Sequence, residues 1–287
     1  MLLEEDARCG YRLKPNLDLP AGDLGFSLKS NSIGLRGPCD PEAGNVIFGT
    51  SYAMGIAVNN GENWHELCLP EKGWLNLGLA VGIREWGELL AMHHRGPKER
   101  AILLYHPNIW VHCLMYERWR NSSKGVFDAL RWRTGWFQCA KLTFRKKLLL
   151  HQLQRTGNWL SVDHGEGKYE IDARYSLIQE AVLRGVFERN IAILISILSA
   201  FHSVQVIRLP VKQQFVPFAY QSKTLMGTIA QYELLWKNTC ERLRILHQAE
   251  FHCPNSFELG HYHSVDTHWN ANGNRYFSDW LKRQGTQ

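Results

Sequence analysis

The chain has seven cysteines but no Cys-x-x-Cys pair, and their odd number and scattered placement offer no disulfide framework. A small secreted scaffold stapled by disulfides is thereby excluded, and free thiols in a reducing compartment are the expectation. No apolar run is long and clean enough for a bilayer span. The most apolar stretch, Ile191 to Ile207, is broken by His202, Ser203 and Gln205. The opening residues Met1-Leu2-Leu3-Glu4-Glu5-Asp6 are acidic and lack the basic and apolar regions of a secretory signal. A soluble, cytoplasmic protein is expected. There is no nucleotide-binding glycine loop, no internal repeat and no low-complexity tract.

What is present is an ordinary globular composition, 45% hydrophobic and 21% charged over 287 residues, enough chain for a substantial core. The formal net charge of +6 is too mild to indicate nucleic-acid binding by itself. The charge is uneven, however. From Tyr116 to Arg155 ten basic residues face only Glu117 and Asp128, a net +8, with Trp119, Trp132 and Trp136 among them. This stretch, about 116–170, reads as a basic helical insertion. Its face is either simply solvated, or a lid or docking surface for an anionic ligand. Nucleic-acid binding ranks third, since no recognised module accompanies the charge.

Residues 1–44 are rich in Gly, Pro, Asn and Asp and read as a turn-rich arm over the core of a single domain, 1–287. Strands are expected at Asn45–Phe48, Gly73–Leu77, Ala101–Tyr105, Val204–Pro210 and Glu250–His252. Helices are expected around Asn63–Leu69 and over Ile83–His93, Tyr175–Ser199, Leu225–His247 and Ala271–Lys282. Strands separated by crossover-length helices predict an α/β fold, a mostly parallel sheet with helices on both faces.

In such a sheet, ligand sites lie at the carboxyl ends of strands. The run Val46-Ile47-Phe48-Gly49-Thr50-Ser51 delivers a serine hydroxyl to that rim, just before an expected helix. A serine needs an imidazole to take its proton and a carboxylate to orient that imidazole. Asp266-Thr267-His268-Trp269-Asn270 supplies both types. Taken singly, each feature has a plainer reading: Gly-x-Ser turns abound, Asp266 suits a helix N-terminus, and Asn108 suits a turn after Pro107. His252, Cys253, His261 and His263 match no closed zinc spacing.

Together the blocks resemble the SGNH (GDSL-type) hydrolase family. Gly49-Thr50-Ser51 matches the nucleophile block, and Asn76-Leu77-Gly78-Leu79-Ala80-Val81-Gly82 is similar to the second. Pro107-Asn108 sits where the third has its asparagine, and Asp266 to Gly273 resembles the last. Tyr11–Asn16, Asn31–Gly37 and Val58–Trp64 extend the likeness to a bacterial subset of polysaccharide-associated esterases and O-acetyltransferases; the 116–170 insertion lies outside it. Departures are visible. The family's aspartate before the serine is Thr50, the third block reads His106-Pro107-Asn108-Ile109, and the last block is D-x-H rather than D-x-x-H.

The resemblance implies a three-layer, flavodoxin-like α/β/α fold with five strands. It implies Ser51 as nucleophile, His268 as base and Asp266 as its partner. The oxyanion donors would be the Ser51 N–H, a backbone N–H at Gly82 and the Asn108 amide. The implied activity is hydrolysis of an acyl ester, foremost an acetyl ester of a carbohydrate or similar polar, possibly anionic, substrate, with no cofactor. One alternative is an O-acetyltransferase with acetyl-CoA as co-substrate. Another is a catalytically degenerate binding protein.

Overall fold

The computed structural model describes residues 3–21, 25–121, 159–164, 167–172, 180–220, 222–264 and 268–284. The arm forms two small antiparallel hairpins, β1 (Leu3–Asp6) with β2 (Gly10–Leu13), and β3 (Asp18–Leu19) with β4 (Leu28–Lys29). Within it Arg36 is buried, and the sheet begins at Asn45.

The sheet takes its strands in chain order as β5 (Asn45–Gly49), β6 (Trp74–Asn76), β7 (Arg100–Tyr105), β10 (Ser203–Arg208) and β11 (Ala249–His252). The intervening β8 (Trp159–His164) and β9 (Gly167–Asp172) pair with each other instead. Across the sheet the order is β11-β10-β7-β5-β6, and every pairing is parallel. This is the doubly wound, flavodoxin-like order. Direction along the sheet reverses between β5 and β7, so the crevice beyond their carboxyl ends is the natural ligand position.

Burial on both faces explains the continuous apolar strands. Val46 and Phe48 of β5, with Leu103 and Tyr105 of β7, enter one core layer, and Ile47, Ile102 and Leu104 enter the other. The first layer is covered by α2 (Ile83–His93), α3 (Asn108–Arg120), α4 (Glu180–Leu198) and α5 (Lys223–Leu243). The second is covered by α1 (Trp64–Cys68) and α6 (Ala271–Arg283), through Trp64, Phe277 and Leu281. Glycine is required where β5 and β6 end. A Cβ on Gly49 or on Gly78 would lie 2.7 Å from the Ala53 Cβ, inside contact distance.

Three expectations change. Residues 51–57 form no regular helix. Met54 donates to the Thr50 carbonyl, Gly55 to Tyr52 and Ile56 to Ser51, a single irregular turn. Positive φ at Gly55 and Ala57 (66° and 73°) ends it. Second, Tyr116–Arg120 is the end of the core helix α3, not the start of a projecting insertion. Met115 and Tyr116 are buried, and Arg120 pairs with the buried Glu85. Third, residues 159–164 and 167–172, at the end of the stretch read as a helical insertion, are strands, β8 and β9, paired antiparallel. Val162 and Ile171 pack there on Val216, Leu225 and Leu259, as period-2 alternation demands. Residues 122–158, the bulk of the basic stretch, and 173–179 lie outside the described residues.

Among the described residues, no helix is long and apolar enough to cross a membrane. The cysteines described (Cys9, Cys39, Cys68, Cys113, Cys240 and Cys253) are free.

Candidate active site

Ser51 stands two residues past β5, in a turn held from three sides. The buried Arg36 guanidinium donates to the Gly55 carbonyl, to the Val58 carbonyl at 3.1 Å and to Asn60 Oδ1 at 3.2 Å. Asn76, the last residue of β6, donates its amide to the carbonyls of Arg36 (3.0 Å) and Ala53 (2.9 Å) and accepts the Gly78 N–H. The Trp64 indole N–H donates to the Tyr52 carbonyl at 3.0 Å. Thr50 is fully buried, and its hydroxyl has no hydrogen-bond partner among the described residues. Bracing of this turn therefore falls to Arg36 and Asn76, not to the side chain preceding the serine.

His268 lies on a loop closed at its base. Tyr262 and Trp269 form an antiparallel bridge, and the His263 N–H donates to the His268 carbonyl at 3.0 Å. Asn270 caps α6: its side chain accepts the Gly273 N–H at 3.0 Å. The Asn270 amide also donates to the carbonyls of Gly260 and Tyr262. Asn274, one turn on, accepts the Trp64 main-chain N–H at 3.1 Å and so ties this helix to the serine side.

These supports bring Ser51 Oγ to 2.7 Å from His268 Nε2, across 217 residues of sequence. Both side chains are buried, at 9% and 5% exposure. With the imidazole neutral and its proton on Nδ1, the hydroxyl donates to Nε2, the geometry of a general base holding a nucleophile. Asp266, expected to orient the ring, lies outside the described residues.

Asn108 is the first residue of α3, next to the end of β7, the strand paired with β5. Its main-chain N–H donates to His106 Nδ1 at 3.2 Å. Gly82 caps α2, and the closest atoms to a Cβ built there belong to Glu85, Tyr116 and Cys113. Its lack of a side chain thus serves the α2–α3 seam. Gly78, by contrast, packs directly on Ala53 of the serine turn, with its N–H engaged by Asn76.

His106 is the site residue that sequence reasoning passed over. It is buried, stacks on Tyr52, and Tyr52 leans on His268. The available signal was a bulky titratable side chain directly after a buried strand, Arg100–Tyr105. The described residues include no group of three or more His, Cys, Asp or Glu able to hold a metal ion.

No protein-family model matches the sequence, and no curated protein matches it. Among solved structures, the chain is similar to a Streptococcus pneumonia protein provisionally described as a platelet activating factor. Identity is 15%, coverage 85% of this chain and 84% of that one, and the TM-score 0.40. It is also similar to an extracellular lipase from Streptomyces rimosus, at 14% identity, coverage of 83% and 98%, and a TM-score of 0.42.

Proposed function

We propose that the chain is an SGNH-type serine esterase, acting on a small acyl ester, foremost an acetyl ester, of a carbohydrate or similarly polar alcohol. The observation that carries this reading is the 2.7 Å contact between the Ser51 hydroxyl and His268 Nε2 at the switch point of a doubly wound sheet. A buried serine and histidine so disposed have a clear chemical use.

In the proposed reaction, Ser51 Oγ attacks the acyl carbon as His268 Nε2 takes its proton. The resulting oxyanion is held by main-chain N–H groups of the serine turn and by the Asn108 amide. Collapse breaks the ester bond, and His268 returns the proton to the leaving alkoxide. Water, deprotonated by the same imidazole, then attacks the acyl-enzyme and releases acid and free serine. Asp266 would fix the ring's tautomer. The chemistry itself asks for no metal or organic cofactor.

A fluorophosphonate probe tests the reading, since its phosphorus captures only an activated serine. Wild-type protein should label at Ser51 and hydrolyse p-nitrophenyl acetate, and Ser51→Ala should do neither. Labelling that survives Ser51→Ala, or a wild-type protein inert to both reagents, would overturn it. Acetate release from an acetyl donor, with and without a saccharide acceptor, then separates hydrolysis from transfer to a hydroxyl.

A further inference from the structure

Lys212 is 1% exposed, although a buried ammonium is costly unless its protons find acceptors. It opens the 3-10 turn Lys212–Phe215, which follows β10. Its Nζ donates to the carbonyls of His263 at 2.7 Å and Ser264 at 3.1 Å. These residues enter the loop that returns at His268. His263 is thereby gripped twice, its carbonyl by Lys212 and its N–H by the His268 carbonyl. The same strand end holds the loop a second time, where the Tyr262 hydroxyl donates to the Pro210 carbonyl at 2.8 Å. On its other side the ammonium stands 5.5 Å from the centre of the Tyr169 ring, on β9.

An apolar side chain would fill this space without the cost of burying a charge. A lysine here directs its donors at main-chain acceptors on the limb opposite His268. We propose that Lys212 is a positioning residue for acyl transfer, holding the main chain at His263 and Ser264, to which His268 is bonded, so that His268 Nε2 stays within hydrogen-bond reach of Ser51. Through Tyr169 it also joins that main chain to the β8–β9 hairpin. This assignment rests on the serine-esterase reading, because it gives the Ser51–His268 distance a catalytic meaning.

The test uses the full chain with Lys212→Met, which keeps the length and removes charge and donors, and Lys212→Arg, which keeps both. Three quantities are read: the fluorophosphonate labelling rate at Ser51, kcat and KM on p-nitrophenyl acetate, and hydrogen exchange of peptides spanning 262–270. Loosening a base by a fraction of an ångström is expected to cost about 10- to 100-fold in kcat and labelling rate. KM should stay within about twofold, since ground-state binding is untouched. Exchange over 262–270 should quicken, and Lys212→Arg should recover part of the rate.

Wild-type labelling with an undiminished rate in Lys212→Met would overturn the proposal and leave the esterase reading standing. An equal loss in Lys212→Met and Lys212→Arg, with exchange unchanged, would also overturn it. If wild-type protein does not label, the esterase reading falls, and exchange alone decides whether Lys212 anchors the loop. Should Lys212→Met fail to fold, Lys212→Gln takes its place with the same outcomes.

Discussion

His106 stacks on Tyr52 with ring centroids 4.7 Å apart and planes 24° from parallel. Tyr52 in turn leans on His268, 4.9 Å away, so the proposed base has an aromatic wall with a second imidazole behind it. Burial, and then the proximity of His268, push the His106 pKa down to about 3. His106 is therefore neutral near pH 7, and its Nδ1 is free to accept the Asn108 N–H. A neutral ring here adds no charge to oppose an imidazolium forming on His268 during turnover.

Removing that ring should affect both stability and chemistry. His106→Ala leaves a cavity behind Tyr52 and strands the Asn108 N–H, which together should cost about 3–5 kcal/mol in urea unfolding. His106→Phe keeps the stack and removes only the acceptor, so it should cost less. Both variants should label more slowly at Ser51. If His106→Phe labels as fast as wild type, the acceptor has no part in setting Asn108.

Acid should destabilise the fold through two imidazoles. His65, fully buried, is held at about 3 by burial first and then by the Arg36 charge, and His106 is at a similar value. Both usually sit at 6.5. Their folded values are depressed, so between these limits the unfolded chain binds two protons that the folded chain refuses. Their contribution is complete above pH 6.5, declines as pH falls, and is spent near pH 3. The slope approaches about 2.7 kcal/mol per pH unit for the pair. Urea unfolding between pH 7 and pH 4.5 should show His106→Gln losing stability more slowly than wild type, by about 1.4 kcal/mol per unit at the acid end. Parallel curves would show that His106 is not held neutral.

The fold was legible in the sequence wherever burial follows a period. Apolar runs at 45–48 and 101–105 mark strands covered on both faces, and α2 was readable to its ends because Trp86, Leu89 and Leu90 lie on one side. α3 was missed for the converse reason. Ile109 to Cys113, with Met115 and Tyr116, are buried nearly all round, so no polar face sets a helical period, and Pro107 reads as a turn. At the site, residue type pointed to Ser51 and His268. The supports did not show, because Arg36, His106 and Lys212 act through contacts spanning tens of residues that no local spacing encodes.

Arg36 illustrates such a support. Burial lowers its pKa to about 10, partly offset by Glu66, so it remains charged at neutral pH. Arg36→Met leaves the carbonyls of Gly55 and Val58 without their donor, expected to cost about 2–4 kcal/mol. For a chain of this size that lowers Tm by about 4–10 °C. Arg36→Lys should rescue little, because one ammonium replaces a fork that reaches Gly55, Val58 and Asn60 together. Thermal unfolding and the Ser51 labelling rate should fall together, since Ile56 donates to the Ser51 carbonyl within the same turn. An unchanged labelling rate in a destabilised variant would confine Arg36 to folding.

Asn270 separates capping from loop support. As a cap it accepts the Gly273 N–H, and losing that bond in Asn270→Ala should cost about 1 kcal/mol. Aspartate caps as well as asparagine, so a purely capping role predicts that Asn270→Asp is neutral. The amide also donates to the Gly260 carbonyl at 2.7 Å and the Tyr262 carbonyl at 3.1 Å, at the base of the His268 loop. A carboxylate cannot donate there and turns an oxygen toward two carbonyls. Asn270→Asp should therefore lose about 2 kcal/mol or more of unfolding free energy even though its cap is kept. Its Ser51 labelling should slow as the loop loosens. Unfolding of Asn270→Asp at the wild-type denaturant midpoint would show that the loop carrying His268 is held without this side chain.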